Sequence, residues 1–330
     1  MTHLERVYLE FLPVYAFLLF LLGGVAVFML RSPVVVLTDD VFSAVYGPRR
    51  EHFKRIEMSM RLFRRIKLTR ISEEAELDAV VFAAEDAARN PLAAIFPYRY
   101  YNAALRYAEE NPRVISVVMT GINTAPVDSS PEREGRAILF VKQDENRDFY
   151  RAGLCAAFLS GRTAHPFLLP KTDDSGKYVL VIKKEKTSAE AENFFERGIR
   201  RGGSDASSVF KGINDNYPLN NLSCAVFLGP SNGFLYSSTE NELPSIIFSW
   251  LDPNFSSPNV KVIIDDSPLE LLPEIVKSLR RGDIKNKLRA GESAEAFVPS
   301  TFKIMSLRTG SLPLALCLNI AVKLTPPDES

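Results

Sequence analysis

The sequence predicts an α/β protein: an N-terminal transmembrane helix followed by two α/β lobes with mainly parallel sheets. Three observations carry this expectation. Phe11 to Leu30 is a stretch of 20 residues without a charge. Short β-branched runs then alternate with amphipathic stretches, the pattern of strands joined by crossover helices. At Gly121–Gly135 (GINTAPVDSSPEREG) Pro, Ser and charge interrupt the alternation, which then resumes, as expected where a chain passes between two units.

At 1.5 Å per residue the first stretch is long enough for a hydrocarbon core of ~30 Å. Glu5, Arg6 and Glu10 precede it and Arg31-Ser32-Pro33 follows, which differs from the basic start and small-residue cleavage site of a secretory leader. An uncleaved anchor over 1–32 is expected, holding the body at the inner (cytoplasmic) membrane, on its periplasmic or extracytoplasmic side. The charges flanking it, Arg6 against Arg31, Arg49 and Arg50, do not set its orientation.

The elements follow in order. Val34–Thr38 is the first strand. A helix opens at about Pro48, with Phe53, Ile56, Met60, Phe63 and Ile66 as its apolar face and Arg49, Arg50, Lys54, Arg55, Arg61, Arg64 and Arg65 on the other. Ile66–Ile71 is a strand, Ser72 caps the helix that Pro91 closes, Leu92–Phe96 is a strand, Tyr100–Glu110 a helix and Val114–Met119 a buried strand. The first lobe thus spans 33–122 and the crossover 123–136. The second lobe, 137–290, opens with Ala137–Val141 and continues through helices at 149–159, 189–199 and 269–280 and strands near 179, 224, 243 and 260. Residues 202–221, rich in Gly, Ser, Asn and Asp, are expected to be a surface loop. Residues 291–330 are return strands and a tail.

Composition excludes several classes. Lys+Arg and Asp+Glu both total 40, so the global basic field that draws a protein to nucleic acid is absent, and nucleic acid is not an expected partner. Cys155, Cys224 and Cys317 lie far apart in apolar runs and His3, His52 and His165 are isolated. No metal and no cofactor are therefore expected. The G-x-S-x-G, Walker A, H-E-x-x-H and G-x-G-x-x-G motifs are all missing, so an enzyme is not expected.

The segments VVVLTDDVFSAVYG (34–47), PLAAIFPY (91–98) followed by a helix and VISVVMTG (114–121), RAILFVKQDENRDFYRAGLCAAFLSG (136–161) and VPSTFKIMSLRTGS (298–311) together resemble the type I periplasmic-binding-protein-like fold. Within it they are similar to the basic-membrane-protein, nucleoside-binding family and its sugar-binding relatives. The resemblance implies a cleft between the lobes for a nucleoside or sugar, and a transporter or sensor as partner.

In open α/β units ligands bind beyond the carboxyl ends of the strands. Those positions hold Asp39, Asp40, Phe96, Tyr98, Thr120 and Asn123 in the first lobe, and Asp144, Asn146, Ser231, Asn232, Asp265 and Asp266 in the second. Asp and Asn accept from hydroxyls and a Phe or Tyr offers a flat apolar face, a suitable set for a small polar ligand. The same aspartates are equally suited to capping the helices that follow, and the tyrosines to packing. Two other readings stay open: a scaffold that has lost its ligand and serves envelope protein interactions, and a membrane-bound transferase with a metal held at Asp265 and Asp266.

Overall fold

In the computed structural model the described residues are 3–39, 48–72, 74–120, 137–160, 178–184, 187–212, 221–229, 242–251, 257–305 and 312–324. The chain begins with α1 (His3–Leu30), whose 28 residues extend about 42 Å. Its side chains at Phe11, Leu12 and from Val14 to Leu30 are apolar and mostly exposed, Phe20 and Leu30 by more than four-fifths. Over the described side chains alone no helix is long and apolar enough to cross a membrane. In α1 they run unbroken from Val14 to Leu30, so the fold by itself does not make α1 a membrane span.

The first sheet then forms from β1 (Val34–Thr38), β2 (Ile66–Arg70), β3 (Ala93–Pro97), β4 (Ile115–Thr120), β5 (Ile138–Gln143) and β11 (Ala294–Val298). Their order is β11-β5-β4-β3-β1-β2, and every neighbouring pair is parallel. The strands read as apolar runs because helices cover both faces. One face packs on α2 (Pro48–Leu62), α7 (Pro268–Ser278) and α8 (Gly282–Arg289). The other packs on α3 (Leu77–Ala87) and α4 (Tyr101–Glu110).

The second sheet contains β6 (Tyr178–Ile182), β7 (Ser207–Lys211), β8 (Leu222–Phe227), β9 (Ser245–Phe248), β10 (Val260–Asp265) and β12 (Thr301–Ile304). Its order is β12-β10-β9-β8-β6-β7, parallel throughout except for the antiparallel β12 at the edge. α5 (Glu145–Leu159), α6 (Ala189–Arg201) and α9 (Leu312–Lys323) lie against one face. Leaving aside β11 and β12, both sheets follow the doubly wound order in which the second strand flanks the first and the third, fourth and fifth extend the other way.

Two glycines bring α5 and α6 together. A Cβ on Gly198 would collide with the Tyr150 carbonyl oxygen and stand 2.8 Å from the Leu154 nitrogen, and one on Gly153 would collide with the Phe195 carbonyl oxygen. Each helix therefore lies directly on the backbone of the other.

The structure departs from the sequence expectations at four places. The strand expected to open the second lobe, β5, pairs with β4 in the first sheet, so the passage to the second sheet comes after Gln143 and not within 123–136. The expected loop at 202–221 contains β7, a short edge strand held by its pairing with β6. The tail holds the helix α9. Among the described side chains of α2 the buried one is Met58, while Phe53, Ile56 and Met60, and Phe63 just beyond the helix, are exposed. The sheet takes the face carrying Met58 and Lys54, because Lys54 finds a buried carboxylate there.

Candidate functional site

Three described segments join the two sheets: Gln143–Glu145 between β5 and α5, Asp265–Pro268 between β10 and α7, and Val298–Thr301 between β11 and β12. All leave the carboxyl ends of first- or second-sheet strands, so the strand ends of the two lobes converge on this hinge. Asp144 caps α5, its side chain accepting from the Arg147 nitrogen at 3.1 Å, while its own N–H donates to the Val298 carbonyl at 3.0 Å. One turn on, Asp148 is fully buried. Its carboxylate accepts from the Ser300 nitrogen at 2.8 Å, the Ser300 hydroxyl at 2.5 Å and Gln143 Nε2 at 2.6 Å. Arg151 Nη1 donates to the Ser300 carbonyl at 3.2 Å. Burial raises the Asp148 pKa to about 6, although the hydrogen bonds from Ser300 and Gln143 favour its charged form.

A second network ties the remaining crossing. Lys303 Nζ lies 2.6 Å from Asp265 Oδ2 and 2.5 Å from Glu270 Oε1, and Lys54 Nζ lies 2.5 Å from the same Glu270 oxygen. Asp265 Oδ1 accepts from the Ser267 nitrogen at 3.1 Å. Burial works against the Lys303 charge, but the Asp265 and Glu270 carboxylates outweigh it and hold the pKa up. Glu270 thereby links α2 of the first lobe to β12 of the second.

Half-buried groups stand around these networks. Lys184, just beyond β6, donates from Nζ to Gln143 Oε1 at 3.3 Å, a contact from one lobe to the other. Burial lowers its pKa, while Glu145, Asp266 and Asp148 pull the other way. Burial, joined by repulsion from Asp265, raises the Asp266 pKa to about 7. Burial also raises that of Glu145, against Lys184. Gly229, beyond β8, permits this packing: a Cβ there would come within 2.9 Å of the Lys184 nitrogen and 2.7 Å of the Lys183 carbonyl carbon.

At the carboxyl edge of the first sheet, Arg99 Nη1 lies 3.6 Å from Asp39 Oδ2, and its guanidinium sits over the Tyr100 ring at 5.7 Å. Tyr98 stacks on Tyr101 with centroids 6.2 Å apart. At ~4.8 Å per strand, Asp39 is about 14 Å from Gln143 along that edge.

Of the sequence-predicted residues, Asp144, Asp265 and Asp266 lie in the crossing segments, Asn146 lies in the first turn of α5, and Asp39 and Tyr98 lie along the first lobe's edge. Thr120 ends β4 opposite Lys142. The Phe96 ring is enclosed in the first lobe, 5.5 Å from that of Tyr107. Asp40, Asn123, Ser231 and Asn232 lie outside the described residues. Asp265 is neutralised by Lys303, which removes the free carboxylate pair that a metal at Asp265 and Asp266 would use. Among the described residues no three potential metal ligands cluster. Sequence reasoning missed Gln143, Glu145, Asp148, Lys184, Glu270, Ser300 and Lys303. The density of polar residues in VKQDENRD (141–148) was the available signal.

No family model matches the chain, and no curated protein matches it. Among solved structures, a transcriptional activator of the comK gene from Bacillus halodurans aligns at a TM-score of 0.50 and 11% identity, over 88% of this chain and 96% of its own. An ABC transporter solute-binding protein from Conexibacter woesei aligns at 0.46 and 14% identity, over 91% of this chain and 99% of that one. A periplasmic solute-binding protein from Actinobacillus succinogenes with bound D-allose aligns at 0.44 and 10%, over 85% and 100%. Identities this low speak to fold alone. The two doubly wound sheets and their three crossings, with the alignment at a TM-score of 0.50, give a type I periplasmic-binding-protein-like fold.

Proposed function

We propose that the chain is a membrane-anchored, substrate-binding-protein-like module whose lobes close on a small polar ligand, a sugar or nucleoside, for transport or sensing. The observation that carries the reading is the meeting of Lys184, Glu145, Asp266 and Gln143 where the strand ends of both lobes converge. These groups are half-buried, so they are dry enough to give directional hydrogen bonds and still open to a ligand. With its carboxyl pKa near neutrality, Asp266 both donates and accepts, as the hydroxyls of a sugar or ribose require. The Lys184–Gln143 contact spans the lobes, so a ligand that replaces it engages both at once and favours closure.

The anchor belongs to the same proposal. The 20 uncharged residues from Phe11 to Leu30 all lie within the helix α1, long enough for a bilayer. The apolar surface they expose would be covered by lipid, with the body extracytoplasmic.

Thermal melts of the full chain in neutral detergent against panels of sugars and nucleosides test the binding. At least one compound should raise the midpoint by several degrees, and Lys184→Gln should lose at least tenfold in affinity for it. Silence across both panels refutes the ligand reading. Alkaline carbonate extraction of membranes tests the anchor, which should stay in the pellet. An impermeant maleimide acting on Ser72→Cys in intact cells reports the side.

A further inference from the structure

The base of the first lobe carries a second site. Because β1, β3, β4 and β5 are parallel, with Val34 opposite Ala93, Ala93 opposite Ile115 and Ser116 opposite Ile138, their amino ends share one edge. The chain enters the sheet at that edge directly from α1, through Arg31 to Pro33. A cavity of about 510 Å³ opens there, between the starts of β3, β4 and β5 and the helices α7 and α8. Its floor is apolar, formed by Leu92, Val114, Ile115, Ala137, Val276 and Leu279. Its other lining residues include Arg64, Arg113, Arg280, Lys285 and Arg289, and no acidic residue. Among the described residues none of these five cations makes an ion pair.

Five positive groups around one cavity give it a positive potential that favours an anion there. Arg64 shows this most directly. Its Nη1 donates to the Ser32 carbonyl at 2.8 Å, which fastens it to the link between α1 and β1. Its Nε is buried without a hydrogen-bond partner. Burial depresses its pKa, and the charges of Arg31 and Arg280 depress it further. Beside it the Arg31 guanidinium covers the Phe63 ring at 5.4 Å, and Phe28 of α1 meets the same ring edge-on at 5.6 Å. The cations, the end of the apolar helix and the exposed Met60 and Phe63 lie on one side of the molecule. At ~4.8 Å per strand, the start of β4 is about 10 Å from the point where α1 joins the sheet.

We propose that this cavity takes the phosphate of an anionic phospholipid headgroup, from the leaflet at which α1 ends, with the glycerol and upper acyl carbons on the apolar floor. Arginine forks bind phosphate oxygens with two parallel hydrogen bonds. A volume of this size holds a headgroup and glycerol, and a pocket at the end of the apolar helix lies at the depth of the headgroup phosphates of the adjoining leaflet. The lipid clamps the base of the first lobe to the bilayer, so that the first lobe stands still while the second moves. The lipid source rests on the anchor proposed above.

The test is titration of the full chain in neutral detergent with dioctanoyl phosphatidylglycerol, followed by the thermal midpoint. Dioctanoyl phosphatidylcholine and inorganic phosphate form the comparison arms. The anionic lipid should raise the midpoint by several degrees, and each comparison arm by less than a third of that. The double variant Arg113→Gln/Arg289→Gln should lose at least tenfold in apparent affinity. Its lipid-free midpoint should equal or exceed that of the parent, because neutralising mutually repelling cations relieves strain. If the double variant does not fold, the exposed Lys285→Gln gives the same reading with a loss of several-fold. Equal responses to the two lipids would overturn the charge recognition. An equal response to phosphate would assign the cavity to a free anion and overturn the headgroup. An unchanged affinity in the variants would overturn the site. Because these lipids are added as short-chain solutes, the outcome is separate from that of carbonate extraction, which tests α1 alone.

Discussion

Asp266→Asn isolates the electrostatics of the hinge. Burial and the adjacent Asp265 carboxylate raise the Asp266 pKa from 3.8 to about 7. The folded chain therefore holds this proton more tightly than the unfolded one. Stability from this group is complete below pH ~4 and is lost as pH rises towards 7. A rise of this size corresponds to ~4 kcal/mol. Water on the open side of the half-buried carboxyl reduces it, and about 2 kcal/mol is expected. The asparagine carries no charge at any pH. The variant should thus match the parent near pH 4 and exceed it by about 2 kcal/mol at pH 8, a midpoint difference of ~4 °C for a chain of this size. Thermal melts of both proteins at pH 4, 6 and 8 give the answer from the difference between them, which cancels the separate contributions of Asp148 and Glu145. Parallel pH profiles would show that Asp266 is an ordinary hydrated carboxylate. The hinge would then be wet and not poised to bind a polar ligand.

Four further outcomes are expected. Gly198→Ala places a methyl group on the Tyr150 carbonyl oxygen and 2.8 Å from the Leu154 nitrogen. Both are backbone atoms, so α5 and α6 must separate, at a cost of about 3 kcal/mol measurable by urea unfolding; a loss under 1 kcal/mol would contradict the packing. Ser300→Ala removes the 2.5 Å hydroxyl bond to Asp148 and should cost ~2 kcal/mol, with a larger loss at pH 8 than at pH 5, because only the charged carboxylate needs that donor. Gly229→Ala pushes on the Lys183–Lys184 backbone and should weaken ligand binding more than fivefold while moving the midpoint by only a few degrees; unchanged affinity would detach Lys184 from the site. Hydrogen–deuterium exchange with a bound ligand should slow at 143–148, 184, 265–270 and 298–303 and leave 31–34 and 113–115 unaltered. Slowing at the base instead would place the moving part elsewhere.

How much of this was legible in the sequence depends on whether a feature is local. The long apolar helix and the alternation of strands and helices are written in periods of residues along the chain, so α1 and the main strands stand where expected. Strand partnership is not local. The Pro- and Ser-rich stretch at 121–135 has the composition of a linker, yet what decides the lobe of β5 is its register with β4, which composition does not carry. SSVFK (207–211) is too short and polar to stand out, and only the edge of β6 makes it a strand. The face of α2 was misread because two apolar sets compete on it, and Glu270, more than two hundred residues away, settles the choice through Lys54. The same holds at the hinge. Asp144 and Asp266 were visible as residues following strands, but Asp148 looks like a solvated helix position until Ser300 closes over it.

The parallel sheet also sets where the hinge lies relative to α1. With α1 joined to the amino end of β1 and the hinge built on the carboxyl ends of β5 and β11, the two lie at opposite poles of the first lobe. Strands of five or six residues separate them by ~15–20 Å. The three crossings between the lobes are bound by fully buried carboxylates, Asp148 to Ser300 and Gln143, and Asp265 to Lys303. Removing a partner from either would leave a buried charge uncompensated. Motion that keeps these bonds is a rotation of the second lobe about them, while the contact available for exchange is the half-buried Lys184–Gln143 bond. In the binding proposed above, a ligand that takes over those two groups changes the position of the lobe farther from α1. A partner proposed to read that occupancy would then contact the second lobe or the rim shared by both.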